Sequence, residues 1–253
     1  MSSDFFYHYF LLFWIALPIL LIPALIKNIA PYGRHSNNKW GILVDNRLGW
    51  MVMEIGSPII FAYFFLTGTT EKSSVMWFFF VLWIFHYFNR SIIFPLRIRT
   101  KGKKIPLFIV GMSMFFNLGN GYINGFYLGS ISAMYPESWW FSPQFIIGIT
   151  LFFIGMYINW KSDSILINLR KPDEVGYKIP KGGLFRYVSC PNHLGEIIEW
   201  IGFAIMCWNM AAFSFALWTA LNLIPRTLDH HQWYLKTFQD YPPDRKAVIP
   251  FIL

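Results

Sequence analysis

Long apolar segments, separated by loops rich in basic residues, follow one another along the whole chain. A helix of about 20 apolar residues can cross the hydrocarbon core of a bilayer. The first segment lacks a basic n-region and a small-residue cleavage site, so we expect it to stay in place as a spanning helix. We predict seven spans, at about residues 8–27, 48–67, 75–95, 106–130, 143–168, 194–208 and 210–228.

Composition supports a membrane environment. Apolar residues make up 55% of the chain, aromatic residues 21% and charged residues only 13%. A soluble domain of 253 residues needs more polar surface than this. The predicted fold class is therefore an all-α integral membrane protein, with residues 1–253 forming one seven-helix domain.

The positive charges predict the topology. Lys and Arg residues cluster in the loops after spans one, three and five and after span seven, whereas the opposite loops hold only Lys72. The positive-inside rule then places the N-terminus outside and the C-terminus in the cytosol. Basic residues flank 194–228 on both sides, which requires an even number of crossings, so we predict a hairpin that turns near Trp208. The net charge of +8 lies in these loops, which favours anionic lipid headgroups or a phosphorylated cofactor over nucleic acid as partners.

Several ionisable side chains lie inside predicted spans, where each costs several kcal/mol unless it faces protein or water. Glu54 lies in span two, and His86, Tyr87 and Arg90 lie in span three. A buried ion pair of Glu54 with Arg90 or His86 would explain these residues structurally. Tyr87 taken alone could be an ordinary packing aromatic. The alternative is a functional site within the bilayer.

Three further polar clusters fall at the cytosolic ends of spans five, six and seven. Residues four apart on a helix, such as Asn159 and Asp163, share one face. A solvated helix end could explain any one cluster, but three at the same predicted depth favour a binding site. The clusters comprise Asn159, Asp163 and Arg170; Asn192, Glu196 and Glu199; and Arg226, Asp229, His230, His231 and Tyr234.

The common metal and nucleotide signatures are absent from the sequence. Adjacent histidines on a helix point in different directions, and no HExxH spacing occurs, so we expect no metal site. Gly119 and Gly121 are followed by Gly125, one residue too late for a dinucleotide-binding GxGxxG, and no Walker motif occurs. Cys190 and Cys207 give no disulfide framework. A bound dinucleotide would therefore be held in a non-Rossmann site.

Four stretches of the second half of the chain have distinctive sequences. They are Leu169-Arg170-Lys171-Pro172, Ile179-Pro180-Lys181-Gly182-Gly183-Leu184-Phe185, Leu194-Gly195-Glu196-Ile197-Ile198-Glu199-Trp200 and Asp240-Tyr241-Pro242. With these motifs the chain resembles the steroid 5α-reductase family of membrane 3-oxo-5α-steroid 4-dehydrogenases. The resemblance covers essentially the whole chain and implies seven helices, NADPH as hydride donor, and reduction of a Δ4 double bond conjugated to a 3-keto group.

The same resemblance implies roles for individual residues. Glu54 and Tyr87 match the positions that contact the substrate carbonyl, and 1–130 is expected to form mainly the substrate side. Residues 143–253 are expected to form the NADPH region. One difference concerns Met53, which stands where mammalian members have Gln, so a polar contact to the ketone is expected to be lost. The implied cofactor residues are Asn159, Asp163, Arg170, Tyr177, Asn192, Glu196, Arg226, His230 and Tyr234.

We therefore expect Tyr87 and a protonated Glu54 to donate hydrogen bonds to a steroid ketone, with Arg170 and Arg226 binding the phosphates of NADPH. The alternatives are a reductase of polyprenals or enoyl-CoA thioesters, a membrane methyltransferase that uses S-adenosylmethionine, and a seven-helix receptor or transporter. We expect a multi-pass protein of a bacterial inner membrane or the endoplasmic reticulum, with membrane lipids around it and no obligate protein partner.

Overall fold

The computed structural model describes residues 3–27, 40–99, 102–171, 174 and 176–253. Most of this chain is helical, which confirms the predicted class. Each of the seven predicted segments contains one long helix. The helices are α1 (Ser3–Lys27), α2 (Asn46–Thr67), α3 (Ser74–Phe88), α4 (Phe94–Arg97), α5 (Leu107–Phe126), α6 (Pro143–Asn168), α7 (Pro191–Cys207) and α8 (Met210–Thr237).

Two helices continue into π-helical turns that the apolar pattern did not predict. Asn89–Ile93 joins α3 to the short α4, and Tyr127–Ile131 extends α5. A π turn often occurs near a functional site. The first one begins two residues after Tyr87 and therefore changes the direction of the side chains that follow this residue.

The predicted hairpin near Trp208 is confirmed as a break between α7 and α8. Trp208 adopts a left-handed backbone conformation with φ of +48°, which ends α7. Asn209 then caps α8 by accepting a hydrogen bond from the backbone N–H of Ala212 at 2.9 Å. Contacts between Trp200 and Phe215, and between His193 and Thr227, show that the two helices run antiparallel.

Length and composition mark four helices of the described residues as able to cross a membrane. Pro143–Asn168, for example, has 26 residues and a mean hydropathy of 1.4 over its most apolar window. The four are Phe5–Lys27, Asn46–Thr67, Ser74–Arg97 and Pro143–Asn168. A membrane protein with apolar helices is thus supported, while the crossings of α5, α7 and α8 and the orientation remain predictions.

The chain divides into two compact units. Unit 1 comprises Met1–Leu12 and Ala30–Ser142, and unit 2 comprises Phe13–Ile29 and Pro143–Leu253. In unit 1, α2 and α5 pack in parallel, with Gly121 and Gly125 against the backbone of α2. Two short antiparallel strands, β1 (Leu43–Asp45) and β2 (Lys104–Pro106), lie directly before these two helices.

In unit 2, α6 and α7 pack antiparallel through glycines. A Cβ atom added at Gly195 would lie 2.5 Å from the backbone nitrogen of Asn159, and one at Gly155 would lie 2.3 Å from that of Glu199. Gly148 and Gly202 make an equally close contact two turns away. Small residues of this kind allow helix backbones to approach closely in membrane proteins.

We expect Gly195→Ala to destabilise the protein, because its methyl group would meet the backbone of α6. Overpacking of this kind costs about 1–3 kcal/mol, so the thermal unfolding midpoint in detergent should fall. Gly111→Ala on α5 is the matched control, since a Cβ atom there meets nothing within 4 Å. That variant should keep or raise the midpoint, because Ala favours helix over Gly. Equal midpoints for both variants would contradict the close contact.

Candidate functional site

The carbonyl-binding candidates of unit 1 lie on two adjacent elements. Glu54 is partly buried on α2, whereas Tyr87 and His86 on α3 are almost completely buried, at 3% and 4% exposure. The rings of His86 and Tyr87 lie edge to face with centroids 5.1 Å apart. Tyr87 also packs on Trp83. The phenol is therefore held in one place by aromatic packing.

A third helix contributes a polar side chain that we did not predict. Asn117 of α5 is 4% exposed. Its Nδ2 donates to the backbone oxygen of Met53 at 2.6 Å, and the Tyr87 hydroxyl donates to its Oδ1 at 3.4 Å. Asn117, Asn120 and Asn124 are three and four residues apart. This polar spacing in an apolar helix was the sequence signal that could have identified Asn117.

Arg90 and Met53 contact aromatic and aliphatic side chains. The Arg90 guanidinium lies over the rings of Trp50 and Phe94, with centroid distances of 5.2 and 4.8 Å. Met53 packs in a cluster with Ile105 and Val110. Trp50 and Met53, which lie within one turn of Glu54 on α2, therefore contact a guanidinium group and aliphatic side chains, respectively.

In unit 2, the close contact of α6 and α7 brings three predicted cofactor residues together. Asn159, 2% exposed on α6, donates from Nδ2 to the backbone oxygen of Asn192 at 3.0 Å. The same amide lies 3.5 Å from Oε2 of Glu196. Asp163 lies one turn further along α6 and is also buried. Amide and carboxyl groups of two helices thus form one polar surface.

Arg170 and Tyr177 also lie together, after the end of α6. Arg170 donates to the backbone oxygen of Gly176 at 3.0 Å, and its guanidinium lies 5.8 Å from the ring centroid of Tyr177. Tyr177 is 46% exposed and contacts Trp233 of α8 edge to face, with centroids 4.9 Å apart. The exposed Tyr177 ring, with the Arg170 guanidinium beside it, therefore lies against α8.

Arg226, His230 and Tyr234 are four residues apart and share one face of α8. The ring of His230 lies 5.9 Å from that of His193, next to Asn192 in the first turn of α7. The contacts of unit 2 thus connect most of the predicted cofactor residues in two sets. One set comprises Asn159, Asn192, Glu196 and, through the neighbouring His193, His230. The other set meets at Trp233 and comprises Arg170, Tyr177 and Tyr234.

A hydrogen-bonded network that we did not predict supports this face of α8. The Ser189 hydroxyl lies 2.7 Å from Nδ1 of His231 and 2.6 Å from the Tyr241 hydroxyl. Tyr241 in turn stacks on Tyr234 with an interplanar angle of 12°. Arg245 is buried, with its guanidinium over the Tyr241 ring. The C-terminal segment thus packs against Tyr234, one of the predicted cofactor residues.

The polar surface of unit 2 has the donors and acceptors that a nucleotide requires. Guanidinium groups suit phosphates, and amide and carboxyl oxygens suit ribose hydroxyls. The N-cap residue of α7, Cys190, makes no side-chain capping bond, and a helix N-terminus attracts anions. Among the described residues, no three His, Cys, Asp or Glu side chains come together as a metal site would need.

Comparisons with known proteins identify the family. The profile described as 3-oxo-5-alpha-steroid 4-dehydrogenase matches residues 103–253. Steroid 5-alpha-reductase DET2 of Gossypium hirsutum is 40% identical over 262 residues, covering 99% of each chain. The chain belongs to the steroid 5α-reductase family. A further member, 3-oxo-5-alpha-steroid 4-dehydrogenase 1 of Rattus norvegicus, is 41% identical over 229 residues, covering 88% of this chain and 86% of its own.

The family match confirms the resemblance inferred from the motifs. The matched profile includes α5 and all of the polar surface of unit 2, while Glu54 and Tyr87 precede it. The alignment with the Gossypium hirsutum relative spans nearly the whole chain, so it extends over both parts of this steroid 5α-reductase family member.

The Ser189 network predicts a pH-dependent stability. His231 lies beyond the predicted end of span seven, and its pKa is lowered first by burial and then by the charges of Lys246 and Arg245. The unfolded chain then binds a proton more readily than the folded protein. The free energy of unfolding should therefore fall as pH drops through the ordinary histidine pKa toward the lowered folded value.

Thermal unfolding in detergent, followed from about pH 7.5 to about pH 5.5 around the ordinary histidine pKa, measures this effect. His231→Gln, which cannot be protonated but can still bond to Ser189, should lose part of the decrease in midpoint. The same pH dependence in the variant and the wild type would contradict the assignment.

Proposed function

We propose that this protein reduces the Δ4 double bond of 3-oxo-Δ4-steroids to give 5α-3-oxosteroids, with NADPH as the reductant. The observation that carries the proposal is the full-length similarity to steroid 5α-reductases. It is supported by a buried phenol on α3 and a partly buried carboxyl group on the neighbouring α2 in unit 1, and by a polar surface suited to a nucleotide in unit 2.

The chemistry requires hydrogen-bond donors at the ketone. When bound, NADPH supplies a hydride to the β-carbon of the enone, which places negative charge on the ketone oxygen. Tyr87 and a protonated Glu54 donate hydrogen bonds to that oxygen. Each donor of this kind lowers the barrier by roughly 2.7–4 kcal/mol in comparable oxyanion sites. Only the neutral form of the Glu54 carboxyl group can donate a hydrogen bond.

The charged residues proposed to bind NADPH in unit 2 are two guanidinium groups and two carboxyl groups. Arg170 and Arg226 provide charge-assisted hydrogen bonds to the pyrophosphate and the additional 2′-phosphate. The acceptors Asp163 and Glu196 bind ribose hydroxyls. The remaining proposed contacts are those of Asn159, Tyr177, Asn192, His230 and Tyr234.

The proposed membrane topology gives each of the two ligands its own route to the site. We propose seven crossings with the N-terminus outside and the C-terminus in the cytosol, because the basic loops and the residues of unit 2 then face the cytosol. NADPH, which is highly charged, binds from the aqueous side. The apolar steroid partitions into lipid and enters from the bilayer.

We expect Tyr87→Phe and Glu54→Leu each to slow hydride transfer by roughly 100-fold to 1,000-fold, because each removes a hydrogen-bond donor from the developing oxyanion. Single-turnover oxidation of NADPH with a Δ4-3-ketosteroid measures the step directly. The affinity for NADPH should be unchanged in both variants. Wild-type rates in both variants would remove the assignment of these two residues.

The substrate class is tested separately with the wild-type protein. Product analysis by mass spectrometry after incubation with NADPH and a panel of ketosteroids, polyprenals and enoyl thioesters should show two added hydrogens only in the ketosteroids. Reduction of a polyprenal or an enoyl thioester in place of the steroids would assign a different substrate to the same fold.

For the cofactor, Arg170→Ala and Arg226→Ala should each raise the dissociation constant for NADPH by about tenfold or more, since a charge-assisted hydrogen bond contributes about 1.5–3 kcal/mol. Arg186→Ala is the matched control, because Arg186 lies over the ring of Tyr187 and outside the proposed contacts. Its dissociation constant should equal that of the wild type. Unchanged binding in the first two variants would disprove their phosphate roles.

A further inference from the structure

Asn117 forms hydrogen bonds to both helices of the proposed carbonyl-binding site in unit 1. It bonds to the Tyr87 hydroxyl and to the backbone oxygen of Met53, the residue before Glu54. We infer that Asn117 is a positioning residue, which sets the place and the proton direction of the Tyr87 phenol. This inference rests on the function proposed above.

The bonding pattern fixes the orientation of the amide. The backbone oxygen of Met53 can only accept a hydrogen bond, so the Asn117 atom that faces it is the NH2 group. The amide oxygen must then face Tyr87. Because this oxygen carries no proton, the phenol donates to it. In the free protein the phenol proton therefore points at Asn117.

The length of this bond suits a temporary acceptor. At 3.4 Å, the contact between the phenol and Asn117 is near the long limit for a hydrogen bond and is weak. A ketone oxygen at normal distance is a better acceptor and gains the proton at little cost. A carboxylate in the place of Asn117 would instead hold the phenol proton strongly.

The second bond relates Tyr87 to Glu54. At 2.6 Å, the bond from Asn117 to Met53 is short and links α5 to the helical turn that carries Glu54. Both Asn117 and Tyr87 are almost inaccessible to solvent, so water competes little for these bonds. One amide thus positions the phenol relative to the carboxyl group, and both must reach the same ketone oxygen.

A double-mutant cycle tests this inference. We expect Asn117→Leu to slow single-turnover NADPH oxidation by roughly 10-fold to 100-fold, as a displaced catalytic group does, with an unchanged dissociation constant for NADPH. If Asn117 acts through Tyr87, the double variant with Tyr87→Phe should be no slower than Tyr87→Phe alone.

Asn124→Leu is the matched control. Asn124 is equally buried on the same helix, but its amide bonds to Asn120. Its variant should stay within a few-fold of the wild-type rate, and its effect should add to that of Tyr87→Phe.

Asn117→Asp provides a second test, in which the new side chain has nearly the same size as the original one. A protonated Asp side chain has the same donor and acceptor pattern as Asn, whereas an ionised one loses the donor to Met53 and retains the phenol proton. We expect the rate of this variant, relative to the wild type, to fall as pH rises. A residue with only a structural role would leave the pH profile of the rate unchanged.

The outcomes separate this inference from the proposed function. Additive losses for Asn117→Leu and Tyr87→Phe would leave the role of Tyr87 intact and overturn the role of Asn117. A wild-type rate for Tyr87→Phe would remove both. If Asn117→Leu does not fold, the pH profile of Asn117→Asp decides, and an unchanged profile overturns the inference.

Discussion

The close approach of α6 and α7 is the contact on which the polar surface of unit 2 depends. On α6, Gly148 and Gly155 face Gly202 and Gly195 of α7. The two glycines of each helix are seven residues apart, which is about two helical turns. Lipid gives helices little hydrophobic reason to associate, so backbone proximity must supply the packing energy. This proximity places the first turn of α7 beside Asn159, where the amide meets Asn192 and Glu196.

The apolar pattern predicted the helices well because the thickness of a bilayer sets a minimum length for each segment. The break near Trp208 followed from the basic residues on both sides of 194–228, although the left-handed conformation of Trp208 itself has no sequence signature. The π turn at Asn89–Ile93 could not be predicted in the same way. A π turn forms when backbone hydrogen bonds join residues five apart instead of four, and the apolar pattern does not encode this change.

The candidate site shows the limit of spacing arguments. Spacing within one helix placed Asn159 and Asp163 on one face and grouped Glu196 with Glu199. The structure separates the last two, because Glu199 is 1% exposed at the glycine contact, while Glu196 meets Asn159 on another helix. Asn117 was missed for the same reason, since its partners Met53 and Tyr87 lie on two other helices. Contacts between helices depend on packing that no single segment reveals.

Neutral side chains dominate the proposed carbonyl site, and this has a catalytic consequence. With Glu54 protonated, as we propose, a phenol, a carboxyl group and an amide would carry no net charge, so they would be tolerated in apolar surroundings better than ions. Met53 provides no polar side chain beside Glu54, but the Asn117 amide of α5 reaches the backbone oxygen of Met53. In the proposed reaction, charge would appear at the ketone oxygen only when the hydride is transferred. Hydrogen bonds to that oxygen are consequently strongest in the transition state, which is the condition for them to accelerate the reaction.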